Sequence, residues 1–570
     1  MAAESTHAAV AAEPPEPFTF YDAGFLLVSI ALLVPCIWSE SSITGQDEYW
    51  LSFRTVLEMQ DRGEWLTPYV NDQVRLQKPP LLYWLMRGSF WLLGPTLFAA
   101  RIWTVLAGAA MALYSARIRR RLFGGTGYLA GLLVLGAAGV AVESRRAMFD
   151  LPVGALCTMA MHYALSWHAT ARRGPALKMA VCIGLAAMTK GPVGLWFFAA
   201  PILAAAFFTA PVRVVARSIR SKLRHIVAAI AVAAAVALPW PIWAQQAHPE
   251  FWQVMAQQAS EREFAWPGLN RVGRLLTAAL ALCVPWSLIA VAGIARGLRR
   301  HRSHHHPSAM AQPRVVRWLS WWLWIGLLPF LFFKSFERYL LALVCPMALL
   351  ASHWLTTSSS KLQRVHLLLA TAILTVPVVL FSLFAMWFAL AWLAPLAALL
   401  LLVWTYRVAA RREHPDLPLV ALLHAMLLSV LLGFVYPSLR INALPSNLPK
   451  DLHSRPVATF GRPQPGLLSM RLGKSVPQMS ATPAGLATRL RQHHGYVFAL
   501  SADCERLEQA ARDGGIELTR ILELDQFYSR KAWLKFFRKG ARWPEWREAL
   551  RTRSLQPLLP HFVCYRVGGE

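Results

Sequence analysis

Residues 367–403 read LLLATAILTVPVVLFSLFAMWFALAWLAPLAALLLLV, without one Asp, Glu, Lys or Arg. A helix rises about 1.5 Å per residue and the hydrocarbon core of a bilayer is about 30 Å thick, so about 20 such residues cross it once. This stretch is long enough for two crossings and predicts helices over 363–387 and 389–406. Similar apolar runs occupy 25–38, 226–238 and 318–333. The whole 570-residue chain follows suit, with 56% hydrophobic and only 15% charged residues and a mean hydropathy of +0.39. Soluble domains are about 45–50% apolar and about 25% charged. The chain therefore reads as a polytopic α-helical membrane protein.

Working outward in both directions predicts thirteen spans: 23–38, 96–117, 125–142, 148–167, 177–190, 192–210, 225–244, 272–295, 316–333, 337–356, 363–387, 389–406 and 416–435. Residues 79–94 are apolar but short, and read as an interfacial or re-entrant helix. The net charge of +28 would suggest nucleic acid in a soluble protein. Here the basic residues sit in short connections, such as Arg117, Arg119, Arg120 and Arg121, or Arg213, Arg217, Arg220, Lys222 and Arg224. With the N-terminus in the cytoplasm, those connections fall inside, as the positive-inside rule requires, and no nucleic-acid partner is expected. Residues 1–20 hold Glu4, Glu13 and Glu16 but no Lys or Arg, so the first apolar run reads as a retained anchor and not a cleaved signal.

Three segments follow: an N-terminal cytoplasmic stretch over 1–22, a membrane domain over 23–436 whose first outer loop covers 39–95, and a polar region over 437–570. An odd number of spans puts the last region outside, in the periplasm of a Gram-negative cell. Strand candidates at 496–500, 516–524 and 561–567, with a helix after Ser501, read as a small α/β domain. Cys504 and Cys564 lie in it, and sequence alone leaves a disulfide and two buried thiols equally open. The run His301-Arg302-Ser303-His304-His305-His306 has no acidic neighbour and reads as a solvated connector.

Acidic residues are scarce in the membrane half. A carboxylate at the centre of a span costs about 2.5–3.5 kcal/mol on insertion scales, so those near spans are candidates for function. Asp47 and Glu48 begin a helix-like segment, 49–60, whose Trp50, Leu51, Phe53, Val56 and Leu57 suit a helix at the membrane interface. Taken alone, the pair could simply complement a helix N-terminus. Asp150 starts the fourth span on the same outer face, where an N-cap or a pair with Arg145 or Arg146 is the simpler alternative. Lys78, Lys190 and Lys334 collect outside too, against the usual inside bias, although each can also be read as a snorkelling span end. Carboxylates and cations converging on one face suit a substrate carrying phosphate, held by Lys and Arg. Asp47 and Glu48 with His248 are an acceptable but unpatterned donor set for a divalent metal. Glu48 and His248 are the weak metal candidates, and no cofactor is required.

These residues resemble a known group. The pair Asp47-Glu48 in a large first outer loop, Gly63-Glu64-Trp65-Leu66-Thr67-Pro68, Gln77-Lys78-Pro79-Pro80-Leu81-Leu82-Tyr83-Trp84, Phe149-Asp150, Met188-Thr189-Lys190-Gly191-Pro192 and Arg338-Tyr339-Leu340 look like GT-C-type membrane glycosyltransferases. That group includes protein O-mannosyltransferases and the 4-amino-4-deoxy-L-arabinose transferases that modify lipid A, and order and spacing are most similar to the latter. The resemblance covers roughly residues 20–350; the later segments match in layout. It departs where the arabinose-transferase pattern has Arg two positions after the acidic pair, for here Tyr49, Trp50 and Leu51 follow, and where Glu337-Arg338-Tyr339 is nearer the mannosyltransferase-like group.

The resemblance implies an undecaprenyl phosphate donor carrying 4-amino-4-deoxy-L-arabinose and a lipid A phosphate acceptor. The reaction would take place at the periplasmic face of the bacterial inner membrane and give resistance to polymyxin and cationic peptides. Asp47, Asp150 and Glu48 would be catalytic. Lys78, Lys190, Lys334, Arg338 and Tyr339 would bind substrate. Another polyprenyl-phosphate-sugar transferase, such as a protein O-mannosyltransferase, is the alternative enzyme, and a lipid-linked sugar flippase the alternative outside enzymes.

Overall fold

The computed structural model describes residues 17–208, 222–261, 264, 266–298, 311–333, 335–411, 415–461, 467–479, 483–526, 537, 538 and 540–568. Each of the thirteen apolar segments carries helix within the described residues. Among the described residues, five helices are long and apolar enough to cross a membrane: Leu97–Phe123, Gln312–Phe332, Glu337–Thr357, Ser360–Phe388 and Leu417–Ser438. Two further bent pairs qualify if each counts as one span, and Phe20–Leu33, Pro192–Phe208 and Leu393–Ala409 are shorter apolar helices. Expected spans 125–142 and 225–244 are each broken in two, as Tyr128–Leu135 with Ala138–Glu143 and as Leu223–Ala237 with Pro239–Ala247, and a third bends sharply. Residues 272–295 are two helices, Leu269–Leu282 and Ser287–Leu298, meeting at a bend of 113°. Hydropathy does not report such a break, because the residues on either side of the bend, 275–282 and 288–294, are both apolar.

Local chemistry sets the ends of these helices. Thr19 accepts from the Asp22 amide while the Asp22 carboxylate accepts from Thr19, a capping box that starts Phe20–Leu33. Thr96 and Asp416 cap Leu97–Phe123 and Leu417–Val430 in the same sense. Small residues then let backbones approach, as is usual between helices in lipid. A Cβ on Gly184 would stand 2.6 Å from Val236, which fixes how closely Arg173–Lys190 packs on Leu223–Ala237.

The first outer loop differs from its expected form. Gln46–Glu48, a π-helical turn Tyr49–Phe53 and Arg54–Asp61 run on as one rod. Phe53, Val56 and Leu57 are fully buried, packed with Tyr83, Met86, Ala99 and Phe149, and also with Leu467 and Met470 from the C-terminal region. The rod's apolar face is thus covered by protein and does not lie on lipid. Periodicity reveals an apolar face but not what will cover it. The short segment forms Leu81–Leu93, whose 13 residues span only about 20 Å.

The C-terminal region builds a four-stranded sheet in the order β3-β4-β6-β5, with β1 (Tyr69–Val70) and β2 (Gln73–Val74) forming a small hairpin in the first loop. Strand β3 (Val457–Phe460) runs parallel to β4 (Tyr496–Leu500), while β6 (His561–Val567) pairs antiparallel with both β4 and β5 (Leu518–Asp525). Strand β3 is four residues long and escapes sequence reading. Ser501 begins the following helix but makes no side-chain cap bond; Leu500 holds the N-cap position. Cys504 packs in a core with Ala499, Val563 and Tyr565, whereas Cys564 packs in another with Phe498, Leu524 and Phe562. Because alternate strand residues face opposite sides of a sheet, the two thiols are kept apart, and both are free.

Candidate active site

Antiparallel neighbours return to the same end of a bundle, and that places the charged residues together. Asp150 opens the helix Asp150–Thr170, and Lys190 closes the helix Arg173–Lys190 that runs back beside it. Lys190 Nζ donates to Asp150 Oδ1. Arg338 enters from the start of the 3-10 turn Glu337–Leu343. Its Nε donates to Asp150 Oδ2 at 3.0 Å and its Nη1 to Asp47 Oδ2 at 2.7 Å. One guanidinium therefore ties the first loop to the helix bundle, a use for which its planar fork is suited and a lysine is not. Arg146 donates to Asp47 Oδ1 and, at 2.7 Å, to Glu143. The cluster is an alternating network of Glu143, Arg146, Asp47, Arg338, Asp150 and Lys190.

It is deep but not closed. Asp150 is 3% exposed and Lys190 4%, while Asp47 and Arg338 keep 14% and 11%. Tyr339 lies beneath Lys190, whose Nζ is 3.3 Å from the ring centroid, a cation–π contact that helps hold an ammonium away from bulk water. Lys78 lies near enough for its charge to act on the Asp150 carboxylate. Its segment is anchored by Leu76, which packs with Met188 and Trp240 at the Lys190 end of the bundle. Beside the cluster a cavity of about 510 Å³ is lined by Tyr339, Glu337, Arg271, Arg274 and Glu261.

Sequence reading grouped Asp47 with Glu48, but adjacent helical residues point apart. Glu48 is fully buried and turned away from Asp150. It accepts from Arg101 Nε at 2.9 Å and Nη2 at 3.1 Å, from Thr44 Oγ1 at 2.8 Å and from the Ala147 amide at 2.8 Å. Its oxygens are fully engaged in fastening the first loop to Leu97–Phe123. His248 lies elsewhere, 3.3 Å from Thr67 Oγ1 and 3.9 Å from Glu250. Among the described residues, no group of three or more His, Cys, Asp or Glu side chains gathers as a metal ion would need. Lys334 and the run 301–306 lie outside the described residues.

The partner of Asp150 also differs from the local pair considered above. Arg146 serves Asp47, and Asp150 is served from two distant segments. Glu143, Arg271 and Arg274 were not singled out in the sequence, and Arg146 entered only as a local partner for Asp150. Arg146 left one signal, a second cation adjacent to Arg145 in a connection expected to be outside.

Comparison with known proteins points the same way as the motifs. Residues 77–243 match the family described as dolichyl-phosphate-mannose-protein mannosyltransferase. The undecaprenyl phosphate-alpha-4-amino-4-deoxy-L-arabinose arabinosyl transferase of Yersinia enterocolitica is 25% identical over 319 residues, covering 54% of each chain. Its counterpart in Serratia proteamaculans is 26% identical over 311 residues, 51% of this chain and 52% of that one. The chain spans about half the length of the curated relatives it matches. The crystal structure of ArnT from Cupriavidus metallidurans in the apo state superposes with a TM-score of 0.66 at 16% identity, over 85% of this chain and 95% of that one. The same protein bound to undecaprenyl phosphate gives 0.63 at 17%, over 85% and 93%. The chain therefore has the fold of that protein, and the resemblance read from its motif set is borne out.

Proposed function

We propose that the protein is a glycosyltransferase of the inner membrane. In this reading it moves 4-amino-4-deoxy-L-arabinose from undecaprenyl phosphate to a phosphate of lipid A, at the periplasmic end where Asp47 and Asp150 share Arg338 and Lys78 lies near. The observation that carries it is the Arg338 bridge between Asp47 and Asp150, set beside the cavity lined by Arg271 and Arg274 with Glu261 and Glu337, on the fold of ArnT.

The reaction is a displacement at the anomeric carbon. An acceptor phosphate oxygen forms the new bond to that carbon as its bond to the polyprenyl phosphate oxygen breaks, and the electron pair leaves with the phosphate. The sugar passes through an oxocarbenium-like state. Charge grows on the departing phosphate, where fixed cations act most strongly; Lys78 and Lys190 serve there, with Lys334 assigned to the same role from the motif set, while Tyr339 lies against Lys190 and Arg338 fixes its partner Asp150. Asp150 orients Lys190 and offers an anion to the amino group of the sugar. Asp47 stabilises positive charge developing on the ring. Glu48 acts as a positioning residue through Arg101.

An already ionised lipid A phosphate needs little help from a base, whereas a hydroxyl acceptor does. Both oxygens of Asp47 already accept from guanidinium donors, so it is poorly placed to take a proton. That favours a phosphate acceptor over the hydroxyl of a protein O-mannosyltransferase, the second reading supported by the match over 77–243. The test expresses Asp47→Asn, Asp150→Asn and Lys78→Ala in a polymyxin-sensitive strain. Wild type adds one aminopentose to the mass of lipid A; the variants lose that increment and the resistance. Full activity in all three overturns the site, and transfer of a hexose to protein in place of the aminopentose overturns the substrates.

A further inference from the structure

The helix Leu223–Ala237 buries only Ala229 along its described length, leaving Val227 and Ile230 58% and 64% exposed. It packs closely on Arg173–Lys190 but stands off from Pro192–Phe208 and Ala311–Phe332. Between them lies an apolar slot of about 970 Å³, walled by Ile183, Phe198, Ile202, Ile230, Ala233 and Trp318. Polar groups enter its lining at one end, where Lys222, His168 and Arg314 sit; among the described residues no carboxylate lines it. Lys222 Nζ donates to the His168 carbonyl at 3.1 Å, stands 3.2 Å from His168 Nδ1 and lies 5.4 Å from the Trp167 ring. That end is far from the Asp47 cluster. His168 follows Asp150 on the same helix by eighteen residues, about 27 Å of rise.

A slot with a long apolar body and cations at one mouth is complementary to a lipid with an anionic head. An unopposed cation at a membrane boundary attracts such heads, and an apolar groove alone would not distinguish one lipid from another. We propose that the slot binds one anionic phospholipid, of the phosphatidylglycerol type, from the leaflet opposite the Asp47 cluster. Its phosphate rests on Lys222 and Arg314, and its acyl chains lie between Ile230 and Phe198. The lipid fills the gap beside the helix that ends in Lys190, and so braces it.

The full-length protein, purified in detergent and exhaustively delipidated, is examined by native mass spectrometry and by thermal melting in nanodiscs of phosphatidylglycerol or phosphatidylethanolamine. Wild type keeps one phosphatidylglycerol and melts higher with it than with phosphatidylethanolamine. A double variant, Lys222→Ala with Arg314→Ala, binds phosphatidylglycerol roughly 30-fold more weakly, since each surface cation contributes about fivefold. Ile230→Trp, at an exposed position that leaves the cations intact, blocks the slot and also loses the lipid. Equal retention by wild type and both variants overturns the proposal. So does retention of phosphatidylethanolamine, or of a polyprenyl phosphate, in its place.

Discussion

Arg338→Lys tests the core of the site. The guanidinium makes two charge-assisted bonds, to Asp47 at 2.7 Å and to Asp150 at 3.0 Å. A lysine keeps the charge, but its single ammonium on a flexible stem cannot reproduce a rigid two-point fork. One bond is lost, and a hydrogen bond to a charged group is worth about 1.5–3 kcal/mol. The three side chains are 3–14% exposed, so screening removes little of that. If about 2 kcal/mol is drawn from the ordering of the transition state, kcat/KM falls roughly 30-fold. Arg338→Ala goes further, because it leaves the buried Asp150 and the half-buried Asp47 short of a cation. Breaking such a pair costs about 3–5 kcal/mol, so the expected loss is roughly a hundredfold or more, with a lower melting temperature. The assay uses purified protein in nanodiscs, a synthetic undecaprenyl phosphate aminoarabinose donor and lipid A, with product read by mass spectrometry. Wild-type kcat/KM and melting in Arg338→Lys would refute the view that this bridge sets the geometry.

Glu48→Ala strips the fully buried Arg101 of its carboxylate, so thermal stability should fall by about 3–5 kcal/mol; an unchanged melt contradicts the anchoring role. Leu467→Ala opens a void where the C-terminal region meets the first loop and should cost about 2–5 kcal/mol, whereas Arg471→Ala, which breaks a part-exposed pair with Glu40, should cost no more than about 1 kcal/mol. Denaturant melts of the two variants should rank them in that order. Burial pushes the Cys564 thiol up to about 12 and raises that of Cys504, so at pH 8 only about one Cys564 in ten thousand is thiolate. Iodoacetamide should leave Cys564 unmodified in the native protein at that pH and alkylate both cysteines after unfolding, as peptide mass spectrometry will report; failure of the unfolded, unreduced protein to alkylate would reveal a disulfide.

What the sequence determined alone are the properties that depend on local composition and period. Apolar runs place helix in each of the thirteen segments, because a helix satisfies its own backbone within the segment. Strands β4 and β6 were legible for a similar reason, as short apolar runs bounded by turn residues. Charge that is costly near a membrane made Asp47, Asp150, Lys78 and Lys190 visible as candidates without any knowledge of what they touch. Pairing was beyond its reach. Sequence grouped Asp47 with its neighbour Glu48, yet the helix turns them apart, one toward Arg146 and Arg338 and the other toward Arg101. It considered Arg145 or Arg146 for Asp150, yet Lys190 and Arg338 arrive from distant segments. It set the helix of the first loop on lipid, yet Leu467 and Met470 cover it. Each of these was decided by long-range packing, since which faces meet depends on how whole helices cross and return, and no local window of residues carries that information.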